Sequence, residues 1–144
     1  DIVINAHIPE SYIENELQRI EVYRRLAAIR TNEDALDITD ELIDRYGEPP
    51  EAVSGLINVA LLRNIAARLG VTEILQKGKI LRFAIKSETL PLVGALYEAY
   101  KDRFFVSTIE KSSVDVELCQ EDALSVMKNV LTILDNAKKE EENK

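Results

Sequence analysis

The chain has 144 residues, of which 46% are hydrophobic and 31% charged, and its formal net charge is −8. That size and balance predict one globular domain over residues 1–137, followed by a polar tail at 138–144 that frays. The negative charge disfavours a nucleic-acid surface, which needs clustered Lys and Arg, although small basic sets stand at Arg24, Arg25 and Arg30 and at Arg63 and Arg68. No apolar run approaches the roughly 18–20 residues of a membrane helix, and no signal-peptide pattern opens the chain. One cysteine, Cys119, excludes an internal disulfide and fits a reducing cytoplasm. A start at Asp1 rather than methionine suggests a piece of a longer protein.

Ile2, Ile4 and Ala6 alternate with Val3, Asn5 and His7, which predicts a short strand ended by Pro9. A helix follows over about 11–30, with Ser11 as N-cap and Glu14 completing a capping box. Thr31 starts a second helix with Asp34 three residues on, and this helix stops at Tyr46 because Gly47 can take a left-handed cap. Pro50 suits the first turn of a third helix, whose buried face runs from Val53 to Ile65 and which Gly70 closes.

Beyond Gly70 the period changes. Val71 to Gln76 and Lys79 to Lys86 read as a hairpin around Lys77-Gly78. Leu90 to Tyr100 reads as a helix with Pro91 in its first turn. Phe104 to Ile109 and Val114 to Leu118 make a second strand pair, and a last helix covers about 121–137. The order β-ααα-ββ-α-ββ-α predicts an α+β fold, with helices packed on a mostly antiparallel sheet.

Little in the chain points to catalysis. The single histidine, His7, sits where a strand meets a proline and reads as a capping or half-buried structural residue. Cys119 follows an alternating strand and reads as small and partly buried, with no base evident to activate it. One Cys and one His make no zinc site, and the five glycines stand singly, so no phosphate loop forms. No cofactor is expected.

The second helix carries more information. On a wheel of about 100° per residue, Ile38, Leu42, Ala35, Tyr46, Ile43 and Leu36 fall within roughly 0–160°. Asp40, Glu33, Asp44, Asp37, Glu41, Asp34 and Arg45 fall within roughly 200–340°, so six carboxylates and one arginine share a surface. A solvated face explains most of them. Glu33 and Asp34 suit the positive helix end, and Glu41 with Arg45 forms an i,i+4 pair. Asp44 fits that explanation poorly, since it sets a negative charge near the negative end of the dipole. A metal site on Asp37, Asp40, Glu41 and Asp44 is disfavoured because one straight helix cannot wrap an oxygen cage.

Three segments resemble the C-terminal domain of the bacterial transcription-repair coupling factor (Mfd) family. They are Asp1 to Pro9 with Tyr12-Ile13, Arg19 to Ala28, and Glu41 to Pro50, and together they reach to about Gly70. Tyr46 stands where the family pattern has phenylalanine. The resemblance implies a domain without a motor of its own, within an ATP-driven DNA translocase that displaces stalled RNA polymerase and recruits UvrA. ATP would bind elsewhere in that parent. It further implies that this domain covers the parent's N-terminal UvrA-binding module until the protein is engaged. Glu41, Asp44 and Arg45 are then expected to touch that module, with Asp37 and Asp40 on the same face. Arg45 would fork onto a carboxylate, and Glu41 and Asp44 would meet basic groups. Two other readings stay open: a small ligand-sensing or enzymatic α+β domain, and a direct nucleic-acid or polymerase contact.

Overall fold

A computed structural model describes residues 7–144, so the expected strand at Ile2 to Ala6 lies outside the described residues. The span read as one domain packs as two compact units, residues 7–64 and 65–144.

In the first unit, α1 covers Glu16–Ala27, α2 Asn32–Tyr46 and α3 Glu51–Leu69, the last running on into the second unit. Helix α1 is shorter at both ends than its apolar spacing suggests. Ser11 lies in a turn in which the Tyr12 and Ile13 amides both donate to the Pro9 carbonyl, at 3.0 and 3.1 Å. The cap is therefore Asn15, whose side chain accepts from the Gln18 amide at 3.0 Å. At the other end, Thr31 must be extended (φ −128°, ψ 164°) to cap α2, which forces the chain out of helix after Ala28. The expected box at Thr31 forms. Its hydroxyl accepts from the Asp34 amide at 3.0 Å, and the Asp34 carboxylate accepts from the Arg30 and Thr31 amides. Those backbone donors hold the Asp34 carboxyl below the usual range.

Ala35, Ile38 and Leu42 bury one stripe of α2, whereas Leu36 and Ile43, on the rim of the apolar arc, remain 64% and 37% exposed. The helix packs along a narrow line, so the rim of its apolar face is wet. Gly47 ends α2 with φ 87° and ψ −174°, an extended conformation at positive φ rather than the left-handed helical one, and its N–H bonds the Ile43 carbonyl. Pro50 stands just before α3, its carbonyl taking the Val53 and Ser54 amides at 2.9 and 3.1 Å. By length and a mean hydropathy of 1.3, α3 could cross a membrane, contrary to the sequence expectation. A core helix meets the same test, and Val53, Ile57 and Ala60 of α3 lie in the first unit's core with Ile13, Leu26 and Ile38.

The second unit holds β1 (Val71–Lys77), β2 (Ile80–Ile85), β3 (Phe104–Ser107) and β4 (Ser113–Glu117). All pairs are antiparallel, in the order β1-β2-β4-β3, so two hairpins lie side by side through their second strands. Leu81, Phe83, Val114 and Val116 are buried on one face. The opposite face is polar at its centre, where Arg82 forks onto the cross-strand Asp115 at 2.7 and 2.8 Å. The helix expected over Leu90 to Tyr100 is instead a 3-10 helix over Ser87–Leu96, a single turn α4 (Tyr97–Tyr100) and a further 3-10 turn over Lys101–Arg103. Pro91 lacks the N–H that an α-helix needs and Gly94 is a poor helix former, so the segment winds in tighter, shorter turns.

Helix α5 covers Ala123–Glu142, capped by Asp122, whose carboxylate accepts from the Ser125 amide at 2.8 Å. It continues through the tail that composition marks as frayed. Asp135 binds Arg68 at 2.8 Å and Lys139 at 3.5 Å, and the Lys138 ammonium donates to the Arg68 carbonyl at 3.1 Å. Those contacts hold the last turns against α3.

The approach to α5 contains the most perturbed carboxylate. Arg103 donates to both Glu121 oxygens at 2.9 and 2.8 Å and to the Glu117 carbonyl, while the Cys119 amide donates to Glu121 at 2.9 Å. The guanidinium fork first, then the backbone donors, pull Glu121 from 4.5 to about 2. A depressed folded pKa stabilises the fold above the unfolded value. That stability is lost as pH falls from about 4.5 toward about 2. Thermal melts across this window should show the loss in the native chain, and Glu121→Gln should flatten that part of the profile. An unchanged profile in the variant would assign the acid sensitivity elsewhere. Cys119, expected to be partly buried, is exposed beside this pair.

Candidate functional site on helix α2

The face of α2 opposite Ile38 presents Asp37, Asp40, Glu41, Asp44 and Arg45, as the helical spacing requires. Asp37, Asp40, Asp44 and Arg45 are exposed and Glu41 is half-buried. The structure separates them into two kinds. Glu41 is held, because Arg25 from the last turn of α1 donates to its carboxylate and Arg45, one turn on, lies 3.8 Å from the same oxygen. Asp37, Asp40 and Asp44 have no cationic partner among the described residues.

Arg45 is also placed by its neighbours. Its guanidinium sits 5.0 Å from the centre of the Tyr46 ring. That ring is 5.8 Å from Tyr12, and its hydroxyl donates to Gln18 at 3.3 Å. The Tyr12 hydroxyl closes the end of the helix by donating to the Gly47 carbonyl at 2.7 Å and to Leu42 at 3.3 Å. Burial, with Glu48 nearby, raises the Tyr12 pKa, so the hydroxyl stays a donor. Three charges therefore share one end of α2. Arg45 lies over an aromatic ring, Glu41 is braced between two arginines, and Asp44 is exposed with no cationic partner among the described residues.

The sequence reading finds this face but misses Arg25. Arg25 and Glu41 are 16 residues apart and meet only because α1 and α2 lie side by side. An arginine in the last turn of a helix, near the apolar Val22 and Leu26, was the available signal. Elsewhere, His7 is exposed rather than half-buried. Among the described residues no group of three or more His, Cys, Asp or Glu gathers closely enough to hold a metal. A crevice of about 410 Å³ between α5 and the Leu90 to Tyr100 segment is lined by Ala95, Ala99, Ile133 and Ala137 with Glu98 and Glu140. It brings no nucleophile and base together.

Fold and surface thus define an α+β domain with helices packed beside an antiparallel sheet and a charged face on α2. The family model of the TRCF domain matches residues 2–92, and the chain belongs to that family. It is 35% identical to the transcription-repair-coupling factor of Staphylococcus haemolyticus over 125 residues, 78% of this chain and 11% of that protein. It is 38% identical to that of Staphylococcus aureus (strain USA300) over 81 residues, 56% of this chain and 7% of that protein. The chain therefore spans about a tenth of the length of the curated relatives it matches. A crystal structure of the C-terminal domain of transcription-repair coupling factor superposes with a TM-score of 0.82 at 19% identity, covering 99% of this chain and 92% of that one. The resemblance carried by Glu41 to Pro50 is borne out, and the fold agrees beyond Gly70, where no motif signals it.

Proposed function

We propose that this chain is a non-catalytic regulatory domain of a cytoplasmic transcription-repair coupling factor, and that it masks the parent's N-terminal UvrA-binding module by intramolecular contact. The parent would bind ATP, DNA, RNA polymerase and UvrA through other parts. The observation that carries the reading is Asp44, an exposed carboxylate without a cationic partner among the described residues, between a braced Glu41 and a stacked Arg45. A contact that must later open needs a small polar surface, where charge pairs fix register and where losing one shifts a two-state balance. Asp37 and Asp40 extend that surface by one turn.

The test joins this domain by a flexible tether to its parent's N-terminal module and titrates UvrA calorimetrically. The fusion carrying Glu41→Lys, Asp44→Lys and Arg45→Glu is expected to bind UvrA at least about tenfold more tightly than the native fusion. Equal affinities would place the mask elsewhere and return this face to solvent.

A further inference from the structure

Helices α1 and α3 leave an apolar groove between them in the first unit. A cleft of about 190 Å³ is lined by Tyr23 and Ala27 from α1 and by Leu56, Val59 and Ala60 from α3. Arg25, which meets Glu41 of α2, lies roughly 160° around α1 from Tyr23, so this groove is separate from the charged face. The apolar surface continues along α1. Ile20 is one turn before Tyr23 and Leu17 one turn before Ile20, and the three are 45%, 40% and 77% exposed in that order, Ile20 first. Single exposed apolar residues mean little, but a row of them running into a cleft marks a contact surface.

Charge at this groove runs against that of the chain. The chain carries −8 overall, yet α3 has no carboxylate after Glu51. Arg63 lines the groove, and the Asn64 side chain donates to the Ile29 carbonyl, which sets Arg30 at the same end. Both arginines are exposed, and neither reaches a carboxylate among the described residues, where every other arginine has one. Asp34 is taken up by the Arg30 and Thr31 backbone amides. The carboxylates of α1 and α3 stand in the first turns, as Glu16 and Glu51, or are paired, as Glu21 is with Arg24 at 3.4 Å.

We propose that this groove receives an amphipathic helix of a protein partner, apolar on one side and carrying Asp or Glu beside Arg30 and Arg63. Both walls are helices whose backbone groups are already bonded, so an added strand would find no main-chain partners. A helix satisfies its own backbone and offers apolar side chains at i, i+3, i+4 and i+7. Ala27 and Ala60 are small, which leaves room for a bulky apolar side chain between Tyr23 and Leu56. Each unpaired guanidinium can fork onto a carboxylate of the partner, whereas a basic helix would set like charges against them.

The test selects peptides of about 16 residues, long enough to form a helix, from a displayed random library on the 144-residue chain. Enriched peptides should carry Leu, Ile, Phe or Trp at helical spacing with Asp or Glu on the flanks. Anisotropy of one such peptide, labelled with fluorescein, should show binding weakened at least about tenfold by Arg63→Glu and by Ile20→Glu. Exchanging the peptide's carboxylates for Lys should restore affinity for the Arg63→Glu chain. Leu36→Glu, the same change at an exposed apolar position of α2, should leave binding intact. All three positions are exposed, so unchanged melting temperatures serve as the folding control. Enrichment of basic peptides, or of none, overturns the proposal. Equal weakening by Leu36→Glu overturns it too, since bulk charge would then account for the binding. Single-stranded DNA binding that Arg63→Glu abolishes, with no acidic peptide selected, would overturn it in favour of a nucleic-acid contact.

Discussion

Replacing Gly70 with alanine is expected to destabilise the chain by about 3 kcal/mol. Gly70 links α3 to β1 at φ +80°, where a Cβ costs roughly 1 kcal/mol. A Cβ there would also lie 2.5 Å from the Thr89 hydroxyl oxygen. That hydroxyl cannot simply swing away. Thr89 is buried, and it donates at 2.6 Å to the Leu69 carbonyl, the last of α3. Moving it leaves a buried helix-end carbonyl without a partner, at a cost of about 1–3 kcal/mol. The double-mutant cycle separates the two causes. In a Thr89→Ala background, where the hydroxyl is gone, Gly70→Ala should cost only the backbone component of about 1 kcal/mol. Urea unfolding of the four proteins measures this, and simple additivity would mean that Thr89 is not what Gly70 makes room for.

In the tethered fusion, Glu41→Lys and Asp44→Lys should part company. Both reverse a charge on the proposed contact, so each alone should tighten UvrA binding by about tenfold, the equivalent of roughly 1.4 kcal/mol. Their effects on stability differ because their surroundings do. Glu41→Lys removes the partner of Arg25 and brings a third cation beside Arg25 and Arg45. The groups are more than a third exposed, so solvent screening limits that loss to about 1 kcal/mol. Asp44 has no cationic partner among the described residues, and a cation near the end of α2 suits the helix dipole. Asp44→Lys should therefore leave the melting temperature unchanged or slightly raised while still unmasking. If Asp44→Lys behaves like the native fusion, unmasking by Glu41→Lys would reflect loosening of the α1–α2 pair rather than loss of a contact.

Local rules made most of the first unit readable. Thr31 with Asp34 and the Ile38–Leu42 stripe act within a turn or two of helix and do what their spacing requires, and Gly47 ends α2 where expected, though extended at positive φ rather than in the left-handed cap. Readings failed where a group outside the apolar pattern decided. Ser11 has the composition of an N-cap, but the Pro9 carbonyl draws Tyr12 and Ile13 into a turn and Asn15 caps instead. The tail from Lys138 has the composition of a frayed end, while α5 extends to Glu142 and Lys138 donates to the Arg68 carbonyl 70 residues away. Leu90 to Tyr100 has helical apolar spacing, and the spacing does not distinguish an α-helix from the tighter turns that Pro91 and Gly94 impose. The candidate site divides the same way. Its charged face follows from one helix, while the brace on Glu41 depends on two helices packing together, which no periodicity within α2 can reveal.

The order in which the strands lie in the sheet also bears on how the second unit acquires its structure. The β1–β2 and β3–β4 ladders each close across a short turn, but the central β2–β4 ladder joins Ile80 to Glu117 and Ala84 to Ser113. Residues 86–112 must be looped before that ladder exists, an entropic cost of about 3 kcal/mol that no contact offsets until the strands meet. The first unit brings together helices that follow one another directly and meets no comparable delay. Refolding followed by stopped-flow circular dichroism should therefore show a fast gain of helix and a slower phase carrying the sheet. In the interval the uncharged β3 edge is presented without its completed sheet, so the slow step is also the one at which this chain is most exposed to mispairing.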